Sequence, residues 1–340
     1  MTKKFAVKIL RIAGGVALLI LLVLFAFFFW ASSNQLDPST YHVLSKSDRQ
    51  SSVFSSDTFR IATYNMGYLS GMTNNLPVRR TRELYEENAQ ILLDWVEDRK
   101  PDILCVQEID YKASRSFQID QSSLLLEKTR FHCAADAVNW DKTYVPFPYG
   151  LPSVNFGSIL SGQSIFSIHS MHLEDRIALA RPSHPFYYDA FYLERLAQIV
   201  RIEINERQIV VINVHLEAWD AEIREHQASE LLDIIQQYAD SLPILLAGDF
   251  NATPPGALKP YGSDKTLEII FKNSRMKPAL SQEKYFANES LYFTYSTAEP
   301  NIRIDYILYD SLWFDVLEAR IDPIRPSDHL PVVADFILKQ

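Results

Sequence analysis

Short apolar runs of strand length recur through this chain, and several of them stop at polar residues able to hold a cation or move a proton. Ile244 to Ala247 is closed by Gly248-Asp249-Phe250-Asn251, and Leu330 to Phe336 is opened by Ser327-Asp328-His329. Between them lies Asp305, inside Arg303-Ile304-Asp305-Tyr306-Ile307-Leu308. Uninterrupted apolar runs of this length read as buried strands. Polar groups gathered at strand ends, rather than scattered over a surface, point to a pocket on a sheet edge. The two carboxylates, carboxamide and imidazole of the two end clusters suit a hard cation and an activated water.

The same pattern continues upstream. Phe59 to Tyr64 alternates as a strand and ends at Asn65; Ile103 to Val106 ends at Gln107-Glu108; Ile209 to Val214 ends at His215. Further strands are expected over 143–146, 157–161, 163–168, 199–204, 291–295, 304–309, 314–319 and 332–338, with a long loop over 170–190. Leu84, Asn88, Ile91, Leu92, Trp95 and Val96 fall near helical spacing, as do Ile223, Leu231, Leu232 and Ile235 within 220–238. A short helix is expected over 266–272. Strands outnumber helices, many are joined by hairpin-length links, and two helices follow strands as crossovers. This predicts an α/β fold, a four-layer sandwich of two mainly antiparallel sheets packed face to face with helices outside.

The N-terminus stands apart. Lys3, Lys4, Lys8 and Arg11 precede Ile12 to Trp30, 19 residues without a charge. As a helix this stretch spans roughly 30 Å, the thickness of the hydrocarbon core. The basic flank should stay in the cytoplasm and send the rest of the chain across. A cleaved signal peptide usually has an apolar region of about 7–15 residues, and this one is longer, although Ala31-Ser32-Ser33 could serve as a cleavage site. The chain thus divides into a basic cytoplasmic flank (1–11), a transmembrane signal anchor (12–31), a Ser-rich tether (32–57) and one catalytic domain (58–340) outside the cytoplasm. Removing the four basic residues of the anchor segment leaves 29 Lys and Arg against 42 Asp and Glu, a balance of −13. So acidic a domain is a poor general nucleic-acid binder. Cys105 and Cys133 could pair in an oxidising compartment, but two cysteines alone do not establish a disulfide.

Taken together, Thr63-Tyr64-Asn65, Gln107-Glu108, Asn213-Val214-His215-Leu216, Gly248-Asp249-Phe250-Asn251, Arg303-Ile304-Asp305-Tyr306 and Ser327-Asp328-His329 resemble the endonuclease/exonuclease/phosphatase superfamily, in its order, over about residues 58–340. The resemblance implies a DNase I-like fold and a divalent-metal-dependent phosphoesterase. Glu108 would be the principal Mg2+ ligand, with Asn65 beside it and Asp328 on the metal side, and Mn2+ as a substitute cation. Asp249 would position or deprotonate water, Asn251 would hold water or a phosphate oxygen, and His329 would pair with Asp305. His215 would bind the scissile phosphate, or protonate the leaving oxygen if charged. Either His329 or Asp249 would be the base.

One position departs from the family pattern. Many members carry Ser-Arg where this chain has Leu160-Ser161-Gly162, so an arginine for substrate phosphate is missing. Arg176, Arg181, Arg195 and Arg303 are candidate substitutes, and Tyr144 and Tyr149 are candidates for the pocket wall. The anchor, the acidic balance and His215 favour a lipid headgroup or small phosphodiester as substrate, over nucleic acid. The competing readings are an extracytoplasmic nuclease, which would need a basic face, and a catalytically inactive binding module, which the full set of acid/base residues argues against.

Overall fold

A computed structural model of the chain describes residues 3–49, 57–259 and 265–339. The strands are β1 (His42–Lys46), β2 (Thr58–Asn65), β3 (Ile103–Asp110), β4 (Cys133–Val145), β5 (Gly157–Ser167), β6 (Met171–Ala178), β7 (Leu196–Ile204), β8 (Arg207–His215), β9 (Ile244–Asp249), β10 (Met276–Pro278), β11 (Asp305–Asp310), β12 (Phe314–Ile321) and β13 (Val332–Leu338). The helices are α1 (Lys3–Ser32), α2 (Arg82–Arg99), α3 (Gln121–Lys128), α4 (Phe186–Asp189), α5 (Ala221–Tyr238), α6 (Thr266–Asn273) and α7 (Gln282–Ala287).

Two sheets result, of order β1-β4-β5-β3-β2-β13-β12 and β10-β11-β9-β8-β7-β6. Among the described residues only β2–β3 and β8–β9 are parallel. Each of these pairs is bridged by one crossover helix, α2 or α5, as parallel neighbours require. Thr81 caps α2 through Leu84 N, and Asp220 caps α5 through Ile223 N; α2 stops at Lys100, in a left-handed conformation, before Pro101.

Side-chain alternation sorts each strand between two cores. Ile61, Ile103, Val211 and Ala247 meet between the sheets. Ala62, Leu104 and Val106 face Leu92 and Val96 of α2, and Val210, Ile212 and Leu246 face Leu231 and Ile235 of α5. Both faces of these strands are therefore buried, which is why they read as unbroken apolar runs. The expected four-layer arrangement is the one observed.

Several local expectations are corrected. Residues 33–36 and 42–46, expected in a tether, are built into the domain: Thr143 N donates to Ser33 O at 2.9 Å, Gln35 and Leu36 N donate to the Asp141 carboxylate at 2.9 Å, and β1 pairs along β4. The tether residues 50–56 lie outside the described residues. The expected loop over 170–190 contains β6, an edge strand whose bulge at Leu173/Asp175 breaks the period-two pattern. The strand expected at 291–295 is instead a 3-10 turn, Glu289–Tyr292, running into a short crossing in which Thr294 Oγ1 accepts from Ile304 N and Asp305 N. Residues 157–161 and 163–168 join as one strand, β5. Cys105 and Cys133 are both free thiols buried between the sheets, so no disulfide links them. Val7–Ser32 of α1 is long and apolar enough to cross a membrane by length and composition.

Candidate active site

The sheets are joined at one end by polar pins. Asn213, fully buried on β8, accepts from Gln107 Nε2 at 2.6 Å and donates to Val106 O at 3.0 Å and Ser164 O at 3.2 Å across the interface. Gln163 Nε2 returns a bond to Asn213 O at 2.6 Å. These pins fix where the next residues emerge. Glu108 follows Gln107 at a bulge in β3, with φ of +52°, and His215 stands two residues beyond Asn213. Gly248 is required beside them: its φ is +146°, and a Cβ there would lie 1.9 Å from Val214 O.

All eight residues singled out in the sequence converge at this end. Glu108, His215, Asp249, Asn251, Asp328 and His329 line a cavity of about 600 Å3, while Asn65 and Asp305 lie behind them, at most 1% exposed. Asn65 Nδ2 donates to Asp249 at 3.0 Å and to Glu108 at 3.3 Å. His329 Nδ1 donates to the Asp305 carboxylate, 3.0 and 3.2 Å from its oxygens. Its Nε2 is 3.8 Å from Asp249 Oδ2, and His215 Nε2 is 3.5 Å from the same oxygen. Asn251 N donates to Asp249 Oδ1 at 2.9 Å, and Asn251 Nδ2 donates to Leu216 O.

Burial and neighbouring charge set the protonation states. Burial raises the Asp249 pKa to about 7, assisted by the Asp305 charge. Burial opposes a charged imidazole at His329, but Asp305 and Asp249 outweigh it and hold its pKa well above the usual value. At His215 burial acts with the charges of Arg195 and His329, so the imidazole is held neutral. Burial also raises Glu108, and Asp328 adds to the effect. Two carboxylates facing each other in a desolvated wall are an arrangement that a cation relieves.

Asp249, Asp305 and His329 form a close cluster of potential ligands, all three buried. A cation suits Glu108 and Asp328 better. His329 Nδ1 is already committed to Asp305, and a protonated imidazole offers no lone pair. The Glu108 oxygens meet only the amides of Asn65 and Asn74 as hydrogen-bond donors among the described residues.

Of the four candidate arginines, Arg195 alone lines the cavity. It is 4% exposed, its Nε is 3.4 Å from Glu217, and its Nη1 has no hydrogen-bond partner. Arg176 pairs with Glu194, Arg181 with Asp189, and Arg303 is buried beside Tyr306. Tyr149 lines the cavity, whereas Tyr144 packs on α1. Sequence reading missed Asn74, which comes from a polar loop without periodicity, and Glu217. The signal for Glu217 was its place two residues after His215.

A sequence model of the endonuclease/exonuclease/phosphatase family matches residues 62–329. The chain belongs to this family. Its members are phosphoesterases and nucleases, so general phosphoesterase chemistry comes with membership. The chain is 26% identical to nocturnin of Xenopus laevis over 307 residues, covering 82% of this chain and 72% of that protein. It is 26% identical to human nocturnin over 278 residues, covering 74% and 58%. Solved family folds superpose: the human nocturnin catalytic domain with bound sulfate (TM-score 0.57, 20% identity, 90% of this chain and 100% of that one). An endonuclease/exonuclease/phosphatase protein from Beutenbergia cavernae gives 0.61 at 20% identity, covering 83% and 72%. A mannosyl-6-phosphatase from Bacteroides thetaiotaomicron gives 0.55 at 14% identity, covering 82% and 99%.

Proposed function

We propose that this chain is a divalent-metal-dependent phosphoesterase that hydrolyses a phosphodiester or phosphomonoester by in-line attack of water, on a lipid headgroup or small phosphodiester outside the cytoplasm. The observation that supports this best is the confluence of an acidic pair, Glu108 and Asp328, with the Asp305–His329–Asp249 relay on the wall of one cavity. Glu108 and Asp328, with Asn65 beside them, would hold Mg2+, whose preference is for oxygen ligands; Mn2+ shares that chemistry. When bound, the cation neutralises charge that spreads over the phosphoryl oxygens as the ester breaks.

The remaining steps belong to side chains. Asp249, poised near pH 7, removes the proton of the attacking water, with Asn251 N and Asn65 Nδ2 holding its carboxylate in place. His329, whose pKa Asp305 and Asp249 hold high, serves as a donor rather than the base: held by Asp305, it hydrogen-bonds a phosphoryl oxygen as negative charge develops, and the leaving oxygen takes its proton from solvent water. Neutral His215 binds the phosphate rather than protonating the leaving oxygen. Arg195, oriented by Glu217, supplies the guanidinium missing at Gly162. The aromatic cavity and acidic balance suit a small headgroup better than a duplex, which is why the nuclease reading stands second.

A substrate panel on the full chain, with Mg2+, Mn2+ and EDTA, tests the proposal. It should include DNA, RNA, sphingomyelin, phosphoinositides, bis-p-nitrophenyl phosphate and simple monoesters. Turnover should require metal and be lost in Glu108→Ala and His329→Ala, with folding retained. Unchanged turnover in both variants would refute the mechanism, and preferred turnover of DNA would replace the substrate assignment.

A further inference from the structure

The wall of the cavity continues outward as a rim of large aromatic and aliphatic side chains. Tyr149, Tyr187 and Trp219 line the mouth; the Phe186 ring meets Tyr187 edge-on, centroids 5.6 Å apart, and Leu151 follows Tyr149 by two residues. Each of the five is at least 60% exposed. Single exposed apolar residues are ordinary, but a contiguous group around a cavity mouth marks a surface that something covers.

The position of α1 identifies what covers it. Phe28 packs edge-on against Phe186 and Phe191, with ring centroids 5.8 Å apart in both pairs. Trp30 stacks on Tyr144 at 6.1 Å. The junction beyond the helix is fixed as well: Lys142 Nζ donates to Asn34 Oδ1 at 2.9 Å and Gln35 Nε2 to Ile159 O at 2.8 Å. The domain is therefore clamped to the end of its own helix and has no slack with which to swing away.

Depth follows from length. Lys8 and Arg11 hold the start of the helix at the near interface, and the 19 uncharged residues Ile12 to Trp30 extend about 28 Å at 1.5 Å per residue, against a hydrocarbon core of about 30 Å. The span therefore ends at Trp30, which puts the last turn, Phe27 to Trp30, where the core meets the headgroup layer. Phe186 touches Phe28 and shares that depth. Tyrosine and tryptophan are the side chains enriched in this layer, where a ring meets lipid and its polar edge meets water.

We infer that the aromatic rim rests on the bilayer surface beside α1, so that the cavity opens onto membrane lipid rather than onto bulk water. This rests on reading α1 as the membrane anchor of the proposed phosphoesterase. It goes further than an anchor alone, because an anchor on a loose tether would leave the mouth free to face any direction.

The test uses the full chain in phosphatidylcholine nanodiscs. Cys105 and Cys133 are buried, and burial pushes both thiols up, so an introduced cysteine can be spin-labelled selectively. Labels at Phe186→Cys and Leu151→Cys report on the rim. A label at exposed Gln208→Cys, at the far end of β8 from His215, is the aqueous reference. Both rim labels should relax at least threefold more with oxygen, and threefold less with a water-soluble nickel chelate, than the reference. Rim labels as open to nickel as the reference would overturn the inference. So would rim labels shielded from nickel without a gain in oxygen access, which would mean a second copy or another protein covers the patch. The readout involves no turnover, so loss of the catalytic proposal would leave this result intact, and the reverse holds.

Discussion

The pin at Asn213 carries a prediction whose size can be worked out. Its side chain has four buried partners: the oxygen accepts from Gln107 Nε2 (2.6 Å), and the two N–H groups of Nδ2 are shared among Val106 O (3.0 Å), Ser164 O (3.2 Å) and Gln198 Oε1 (3.3 Å). Asn213→Ala removes all four. Gln107 keeps its bond to Thr63 Oγ1, but the two strand carbonyls and Gln198 each lose a partner in a site with no room for bulk water. One accepted bond and two donated N–H groups, at about 1 kcal/mol per net hydrogen bond, make the loss about 3 kcal/mol. A domain of this size loses roughly 2–4 °C of Tm per kcal/mol, so Tm should fall by roughly 10 °C. The change also loosens the two strands that present Glu108 and His215, and misplacement by about 1 Å can cost on the order of a hundredfold in rate. Thermal unfolding in detergent, read beside turnover of bis-p-nitrophenyl phosphate, measures both. Gln208→Ala on the exposed start of the same strand is the control, expected within about 0.5 kcal/mol of the parent. A Tm for Asn213→Ala within 1 °C of the parent would refute the claim that this amide holds the sheets together.

Other outcomes follow from single groups. Asp249 has a pKa raised from 3.8 to about 7 in the metal-free chain, and a base must be ionised, so kcat/KM should climb as pH rises toward 7, with the bound cation drawing the midpoint downward; a profile that falls as pH rises to 7 would exclude Asp249 as the base. Stability should run the other way without added metal: the folded chain keeps a proton that the unfolded chain has lost, so Tm should fall as pH rises from about 4 to 7 and level off above, and Asp249→Asn should flatten that slope. Arg195→Met should lower kcat/KM roughly ten- to a hundredfold, the equivalent of one charged hydrogen bond of about 1.5–3 kcal/mol. Inhibition by inorganic phosphate should weaken in parallel, and unchanged inhibition would remove Arg195 from the phosphate site. Gly248→Ala forces a Cβ to 1.9 Å from Val214 O, so it should yield little folded protein by size-exclusion chromatography; a normal yield would mean β8 and β9 can separate there at small cost.

What the sequence made legible, and what it hid, divides along physical lines. β2, β3, β8, β9 and β13 are buried on both faces, so their residues form apolar runs and the polar residues at their ends stand out. The edge strands β1 and β6 carry no such contrast: their burial is partial, and β6 is bulged. Gln107 and Asn213 were visible as parts of motifs, yet their work as inter-sheet pins needed coordinates, because a hydrogen bond over 106 positions leaves no local trace. Asn74 reaches Glu108 from a loop 34 residues away and was hidden for the same reason. The tether was misjudged because serine-rich composition describes solvation, not the specific clasp that Asp141 makes on Gln35 and Leu36.

The departure at Gly162 shows how the two sheets share the proposed chemistry. A Cβ at this position would lie 2.0 Å from Ala137 O, so no arginine fits there while β4 holds its place beside β5. Ser161 next to it is engaged in a buried ion pair, accepting from Arg115 and donating to Asp110. The guanidinium must then enter from the second sheet, and Arg195 does so at the start of β7, steadied by a glutamate two residues past His215. The first sheet is left with Glu108 and Asp328, the oxygen donors suited to a cation, and with Asn65, whose amide holds Glu108 and Asp249 in place. The second brings His215, Arg195, Asp249 and Asn251, the groups suited to phosphate and water. The hydrogen bond from His329 to Asp305 crosses between them, joining the loop before β13 to the first residue of β11. A shear of one sheet over the other would therefore separate cation from base before it disturbed either half, and the Asn213 pins resist that motion.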